Sequence, residues 1–195
     1  MHGQFCRKDT DMTDRIILDL CGGTGSWSRP YREAGYDVRL ITLPEHDVRL
    51  YIPPGGVHGI LAAPPCTHFS RAGAQYWQAK GSDALLEGLS VVDACLRIVW
   101  LCEPEWWALE NPIGRLKDYI GAPCFKFDPW QFGDPWTKRT WLWGRFTAPK
   151  VKVKVKVKVK SAPGWRGDRT TAICRGVRRS MTPPGFARAF FEANP

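Results

Sequence analysis

The segment RIILDLCGGTG near the amino end constrains the fold of the 195-residue chain more than any other. Residues 15–20 form a short apolar run that stops at a glycine-rich stretch, as a buried strand does when it enters a tight turn. A helix is predicted from about Trp27 to Ala34, and a second strand over residues 37–43. Strand, glycine turn, helix and strand in this order open a parallel sheet. The sequence therefore predicts an α/β fold with a mostly parallel central sheet flanked by helices.

Five further elements follow from apolar patterning and from turn residues. Strands are predicted over residues 57–63, 106–109 and 138–146, and helices over residues 83–102 and 183–194, the last capped by Thr182. The first of these helices has apolar residues at positions 85, 86, 89, 92, 96 and 99, which are predicted to share one face.

Charge and cysteine content narrow the class of protein. The net charge is +9, but the run VKVKVKVKVK at residues 151–160 and Lys150 carry six of these charges, so the basic signal is local. The seven cysteines are odd in number and form no C-x-x-C pair, which favours a reduced, cytoplasmic setting over a disulfide framework or a zinc site. The polar amino end is no signal peptide. No apolar run approaches the ~20 residues that cross a membrane.

Two predicted strands end in residues that can carry chemistry. The glycine turn at residues 19–25 suits a nucleoside-bearing cofactor better than a triphosphate, although plain strand-to-helix turns also contain glycine. Cys66 follows the strand that ends at Pro64-Pro65, where open α/β sheets place their active sites. Cysteine is the strongest nucleophile among the side chains near neutral pH, whereas a single cysteine is more often structural, as Cys95 and Cys102 are predicted to be.

Two further segments offer polar groups. Glu110 follows a third predicted strand and could act as an acid or a hydrogen-bond acceptor, while Asn111 before Pro112 could instead cap a helix. Thr137-Lys138-Arg139-Thr140 opens the late strand, and its cations could bind phosphate or lie solvated.

In this order, the motifs resemble those of the DNA cytosine-5 methyltransferases. DLCGGTGSWS is similar to the D-L-F-x-G-x-G cofactor motif of the family, APPCTHFS to its P-C-x-x-F-S loop and LENP to its E-N-V motif. GDPWTKRTWLWG resembles the Q-x-R-x-R strand, and RRSMTPPGFARAFFEAN resembles the final motif. The resemblance runs from about residue 15 to the end and is nearest to small phage-type and bacterial orphan members. It implies a Rossmann-like methyltransferase domain over residues 1–195, acting as a monomer in the cytoplasm of a bacterial or phage-infected cell.

The resemblance also implies a reaction. Cys66 would add to carbon 6 of a flipped cytosine, Glu110 would contact the ring, Arg139 would orient the base, and carbon 5 would take the methyl group of S-adenosylmethionine without a metal. The implied cofactor-binding residues are Asp19, Cys21, Gly22, Gly23, Thr24, Gly25, Trp27, Asp47, Val48 and Pro64. The implied DNA-binding residues are Ser70, Lys138, Arg139, Lys152, Lys154 and Lys156.

Several departures from the family pattern bear on these expectations. No acidic residue ends the second strand, so Thr42 or Glu45 would hold the cofactor ribose. Lys138 and Thr140 occupy the two arginine positions of the late strand, and Arg139 falls between them. Residues 147–178 leave only a reduced target-recognition insert that includes the Val-Lys run, which predicts phosphate-dominated affinity with relaxed sequence preference.

Three alternatives stay open at this point. The same chemistry could act on RNA, because the flipped base is identical. The chain could be an inactive methyltransferase-like protein that only binds nucleic acid. A small-molecule methyltransferase fits less well, because such a reaction needs no covalent nucleophile.

Overall fold

The computed structural model describes residues 15–153, 160–161 and 180–195. A six-stranded mixed sheet forms its centre, in the order β2-β1-β3-β4-β7-β5. Its strands are β1 (Ile16–Leu20), β2 (Asp37–Ile41), β3 (Val57–Ala62), β4 (Trp106–Pro112), β5 (Phe125–Phe127) and β7 (Thr140–Arg145). Two short strands, β6 (Trp136–Thr137) and β8 (Lys160–Ser161), pair in parallel beside it.

The strand directions decide which residues share an edge of the sheet. Strands β2, β1, β3 and β4 are parallel to one another, while β7 is antiparallel to both β4 and β5. Five strands therefore run one way and β7 runs the other, which fits the expectation of a mostly parallel sheet. The carboxyl ends of β1, β3 and β4 and the amino end of β7 consequently meet at one edge, which we call the loop edge.

Helices cover both faces of the sheet. They are α1 (Arg29–Glu33), α2 (Trp77–Cys102), α3 (Lys117–Ile120) and α4 (Pro184–Ala193). One core cluster joins Leu18, Ile60 and Leu109 to Cys95 and Ile98 of α2. Another joins alternate strand residues, such as Ile17 and Leu61, to α1 and α4 on the opposite face. This alternation is the period of two that a pleated strand imposes, and it explains the near-continuous apolar runs of β1 and β3.

The predicted element bounds need corrections. Helix α1 is shorter than predicted, and α2 begins at Trp77 instead of residue 83 because a kink at Gly81 (φ 73°) joins an extra turn to it. Leu86, predicted on the apolar face of α2, is 63% exposed. Strand β4 continues through Pro112, so Asn111 caps no helix. Pro183 caps α4, and the backbone of Thr182 instead donates to Ser26 Oγ (3.0 Å).

Candidate functional site

The loop edge gathers the segments that the sequence singled out. The glycine turn follows β1, the Cys66 loop follows β3, Glu110 lies near the end of β4, and Lys138 and Arg139 precede β7. The registers Leu20–Ala62 and Ala62–Leu109 place β1, β3 and β4 side by side. Residues from four distant parts of the sequence are thus neighbours because their strands end or begin at the same edge.

The glycine turn has a conformation that explains its composition. Cys21, Gly23 and Gly25 all have positive φ, at 56°, 55° and 65°. A non-glycine residue in the left-handed region costs roughly 1–2 kcal/mol, so Cys21 is held there by its surroundings. Its backbone N donates to Ile41 O (2.7 Å), which fixes the start of the turn, and its side chain hydrogen-bonds with Cys95. That hydrogen bond raises the pKa of Cys95, which is fully buried as predicted for a structural cysteine.

Asp19 is buried directly beneath the turn. Its Oδ2 accepts from Ser28 Oγ (2.5 Å), whereas its Oδ1 has no partner among the described residues. Burial raises the pKa of this carboxyl from 3.8 to about 6, against the lowering effect of Ser28. A side chain at Gly22 would overlap the carboxylate, so the turn closes tightly over Asp19. An acid that is costly to bury and only half satisfied is typical of a binding site.

The turn residues fit the amino-acid part of S-adenosylmethionine in two respects. Gly23 and Thr24 are exposed, and no atom lies within 4 Å of where a side chain at Gly23 would be, so the outer side of the turn has room for a ligand. The Asp19 carboxylate lies beneath the turn with no exposed surface, so its negative charge favours a cationic group at the turn without contacting it. Trp27 contributes to the core beneath the turn and not to its exposed surface, since it is 1% exposed and packs against Phe186 and Phe190.

The segment predicted to contact adenine is held by arginines. Both carboxylate oxygens of Asp47 accept from the Arg49 side chain, at 2.6–3.0 Å, and this pairing holds the pKa of Asp47 below its usual range. Arg97 of α2 donates to the carbonyls of Val48, Arg49 and Tyr51 at 3.3–3.4 Å. Val48 is buried. The segment is therefore fixed against α2, with the Asp47 carboxylate already engaged.

The two residues proposed to hold the ribose differ in exposure. Thr42 is half-buried, and its carbonyl accepts from the His46 backbone N (2.9 Å), whereas Glu45 is exposed. Both lie in the loop that follows β2, next to the glycine turn.

The Cys66 loop is bound to β4 by a buried side chain. Asn111, fully buried, donates from Nδ2 to the carbonyl of Pro64 (2.9 Å). Pro64 is buried, and Cys66 is half-buried at the start of a 3₁₀ helix over Cys66–His68. The carbonyl of Cys66 accepts from the backbone N of Phe69 (3.0 Å) and of Ser70 (2.8 Å). Asn111 thus fixes the approach to Cys66 relative to Glu110, its neighbour in sequence.

The far side of the Cys66 loop is held by the residues that follow β4. Ser70 and Gly114 form a β-bridge, and the Arg115 backbone N donates to Phe69 O (2.9 Å). Arg115 Nε also donates to His68 O (2.8 Å), and its guanidinium lies 4.4 Å from the centroid of the Trp77 ring. The loop is therefore fixed at both ends before any ligand binds.

Lys138, and not Arg139, lies beside Glu110. Lys138 Nζ is 3.7 Å from Glu110 Oε1, and the two side chains are 18% and 13% exposed. Arg139 is 65% exposed and pairs instead with Asp128, with Nε 3.7 Å from Oδ2. In this structure Lys138 is therefore the cation beside Glu110, and the expectation that Arg139 acts at the reacting base stays a prediction.

Of the lysines predicted to bind DNA in the Val-Lys run, only Lys152 lies among the described residues with its side chain. Its backbone N donates to Gln131 O (2.9 Å), and its Nζ is 3.7 Å from Glu192 Oε2. Lys154 and Lys156 lie outside the described residues, as does most of the predicted insert at residues 147–178.

Sequence reasoning missed the residues that hold the site together. Asn111 and Arg115 donate the side-chain hydrogen bonds that hold the Cys66 loop, and both follow Glu110 within five residues. The signal available was the polar Asn111 beside Glu110 in a strand that is otherwise apolar, since a buried amide needs a partner. In the described part of the chain, no group of three or more His, Cys, Asp or Glu side chains could hold a metal ion, and no helix could span a membrane.

Comparisons with known proteins give little beyond this geometry. No protein-family model matches the chain, and no curated protein matches it. Among solved structures, it is similar to an E. coli prophage protein provisionally assigned as a DNA modification methyltransferase, with 18% identity and a TM-score of 0.44. The match covers 68% of this chain and 47% of that one, so the chain spans about half the length of that protein. A likeness of this size says nothing by itself about substrate or chemistry.

Proposed function

We propose that this chain transfers a methyl group from S-adenosylmethionine to carbon 5 of cytosine in DNA, with Cys66 as the nucleophile. The observation that carries the proposal is the hydrogen bond from Asn111 Nδ2 to Pro64 O (2.9 Å), which ties the Cys66 loop to the strand that bears Glu110. A glycine turn over a buried and only half-satisfied acid follows the neighbouring strand β1. A nucleophile, a carboxylate and a cofactor turn at one edge are the parts that this reaction needs.

Cys66 and Glu110 would act at different positions of the cytosine ring. Carbon 6 of cytosine is out of reach within a stacked duplex, so the base must be flipped out of the helix. The Cys66 thiolate would then form a bond to carbon 6, and the electron pair of the carbon 5–carbon 6 double bond would move to carbon 5 and the ring. Glu110 would accept from the exocyclic amine and share a proton with the ring nitrogen, and so favour a protonated ring as negative charge develops on it.

Lys138 takes the place that the family pattern gives to an arginine. At 3.7 Å from Glu110 it is a cation next to the base-binding carboxylate, in a half-buried position where charges interact more strongly than in water. We assign to Lys138 the holding of Glu110 in place and the stabilisation of the negative charge that builds up on the base.

The reaction ends by restoring the aromatic ring. S-adenosylmethionine, when bound, supplies an electrophilic methyl group that carbon 5 attacks. Loss of the carbon 5 proton to solvent and of the Cys66 thiolate from carbon 6 then releases the methylated base. Asp19 and the glycine turn would hold the amino-acid part of the cofactor, and the segment at Asp47 would border its adenine.

The test uses tritiated S-adenosylmethionine with mixed-sequence duplex DNA and, in parallel, with RNA of the same sequence. Wild type should label the DNA, and Cys66→Ser should lose at least 100-fold of that activity because a hydroxyl is far less nucleophilic than a thiolate. Cys124→Ser is the matched control, since Cys124 is exposed beside β5 and hydrogen-bonds only to carbonyls of β7 among the contacts described. It should keep wild-type activity.

A second readout isolates the covalent step. With 5-fluorocytosine in the DNA, the carbon 5 proton is replaced by fluorine, so the ring cannot be restored and the adduct should survive denaturing electrophoresis. Wild type should form this adduct and Cys66→Ser should not. Labelling that survives in Cys66→Ser would exclude the covalent mechanism. Labelling of RNA alone would move the substrate to RNA, and labelling of neither polymer would leave a nucleic-acid-binding role.

A further inference from the structure

Two cavities meet at Arg139, next to the Cys66 site. The first, of about 350 Å³, is lined by Arg71, Ile113, Asp128, Thr137 and Arg139. The second, of about 330 Å³, shares Ile113, Asp128 and Arg139 with it and extends to Lys126 and Trp141. We call the joint space, bounded by Arg71, Ile113, Lys126, Asp128, Thr137 and Arg139, the arginine cleft. Both halves are wide open to solvent, as suits a chain that lies across the surface of the protein.

Backbone pairing brings the two arginines to either side of one residue. The Arg71 backbone N donates to Ile113 O (2.9 Å), and the Ile113 backbone N donates to Arg139 O (3.2 Å). Arg71 directly follows Ser70 of the Cys66 loop, and Arg139 directly follows Lys138, the partner of Glu110. The arginine cleft therefore lies one residue outside the candidate catalytic groups on two sides.

The charge in the cleft favours an anion. Arg71, Lys126 and Arg139 bring three positive charges to it, against one carboxylate from Asp128. Arg139 Nε lies 3.7 Å from Asp128 Oδ2, which makes the pair an ion pair longer than a hydrogen bond. A phosphate whose oxygens lie closer to the Arg139 guanidinium could therefore displace Asp128 from it. Ile113 and the Trp141 ring, with Lys126 Nζ 5.6 Å from its centroid, add apolar surface for a sugar.

We propose that the arginine cleft binds the phosphodiester and sugar of the nucleotide next to the cytosine held at Cys66, and that Asp128 competes with this phosphate for Arg139. This inference rests on the proposed function for the base at Cys66, but it concerns binding and not methyl transfer. It gives the chain a contact with the sugar-phosphate backbone beside the site, and this contact does not depend on the small target-recognition insert. Phosphate contacts position a nucleic acid and carry no sequence information, in line with relaxed sequence preference.

The experiment measures binding of a fluorescein-labelled mixed-sequence DNA duplex by anisotropy, from 50 to 200 mM NaCl. Each lost phosphate contact should lower the slope of log K against log salt by about 0.9. Arg71→Ala and Arg139→Ala should each weaken binding about 5- to 10-fold, and the double variant should lower the slope by about 2. Asp128→Asn should instead tighten binding about threefold, because it removes the competing charge.

Matched controls come from β2, the outer strand on the side of the sheet away from β7 and β5. Arg39 and Asp37 of β2 form an ion pair of the same kind, with Nη2 2.8 Å from Oδ2 and both side chains about 40% exposed. Arg39→Ala and Asp37→Asn repeat the charge changes there and should leave both affinity and slope unchanged. Asp128→Asn is also conservative for folding, because Asp128 caps the 3₁₀ helix at Pro129–Phe132 and asparagine caps equally well.

The outcomes separate this inference from the proposed function. Unchanged slopes in the Arg71 and Arg139 variants, or weaker binding by Asp128→Asn, would overturn the arginine cleft as a phosphate site even if the chain methylates DNA. The expected pattern in a protein that transfers no methyl group would support the cleft and count against the catalytic proposal alone. The same pattern with an RNA of the same sequence, but not with DNA, would support the phosphodiester site and change the polymer. Binding of neither DNA nor RNA would overturn the arginine cleft as a phosphate site.

Discussion

The two sides of the loop edge are built on different physical principles. On the side of β1 and β2, the site is made by backbone: a tight turn with three positive φ values closes over a buried acid. On the side of β4 and β7, it is made by side chains: Lys138 and Arg139 reach different carboxylates from adjacent positions. The first side is intolerant of shape changes. The second tolerates shape changes but depends on charge, and three predictions test this contrast.

The largest effect is expected at Gly22. A methyl group there would overlap the Asp19 carboxylate, so Gly22→Ala must displace the turn or the acid, and we expect a loss of about 3 kcal/mol in the free energy of unfolding. Gly23→Ala is the control, because it meets no atom within 4 Å and costs only about 1 kcal/mol for its φ of 55°. Urea unfolding measures both. Equal losses would show that the turn yields at Gly22 and that the backbone side is not rigid.

A smaller effect should follow from the charge of Asp19. Its pKa in the folded chain is about 6 against 3.8 for the free side chain, so the folded state holds the proton more tightly. Stability from this group is therefore fully present below pH 3.8 and is lost as the pH rises through 6, a cost of about 3 kcal/mol at neutral pH. Asp19→Asn removes the charge and keeps an acceptor for Ser28, but adds two N–H groups that need partners. We expect a net gain of about 1–2 kcal/mol at pH 7.

The pH dependence is the sharper readout for Asp19. Urea unfolding between pH 4 and pH 7 should show wild type losing stability relative to Asp19→Asn as the pH rises. Asp37→Asn, which changes an exposed carboxylate on β2, should run parallel to wild type. If Asp19→Asn also runs parallel, the acid is not titrating in this range. Weaker binding of S-adenosylmethionine by the more stable variant would identify the stability cost as functional.

The same contrast explains what the sequence could predict. The glycine turn is predictable from the sequence, because glycine at fixed positions after an apolar run indicates a tight turn. Strands β1, β2 and β3 begin and end within two residues of their predicted bounds. The positions of Cys66 and Glu110 at strand ends are also predictable, because both follow apolar runs, while their roles stay predictions. Those signals are local, whereas the contacts that position the two residues are not.

The side-chain contacts at β4 and β7 could not be predicted from the sequence in the same way. Whether Lys138 or Arg139 faces Glu110 depends on the pairing of Pro112 with Thr140, two residues far apart in sequence, and a slip of one residue would exchange their partners. Asn111 was predicted as a possible helix cap because Asn before Pro has that meaning locally, whereas its strand pairing decides its role. Antiparallel β7 is the element that brings these residues together, and its direction leaves no mark in the sequence.

The smallest effect should separate Lys138 from Arg139 in catalysis. Lys138→Met removes the cation 3.7 Å from Glu110 and keeps a side chain of similar length, so we expect kcat for DNA methylation to fall about tenfold with little change in the KM for DNA. Lys138→Arg should recover most of the rate. Arg139→Met removes an exposed cation of the arginine cleft and should raise the KM with kcat nearly kept. The reverse pattern would return the catalytic role to Arg139 and show that the edge rearranges when the base enters. A fall in kcat for Lys138→Met alone would support the pairing of β4 with β7 that places Lys138, and not Arg139, at Glu110.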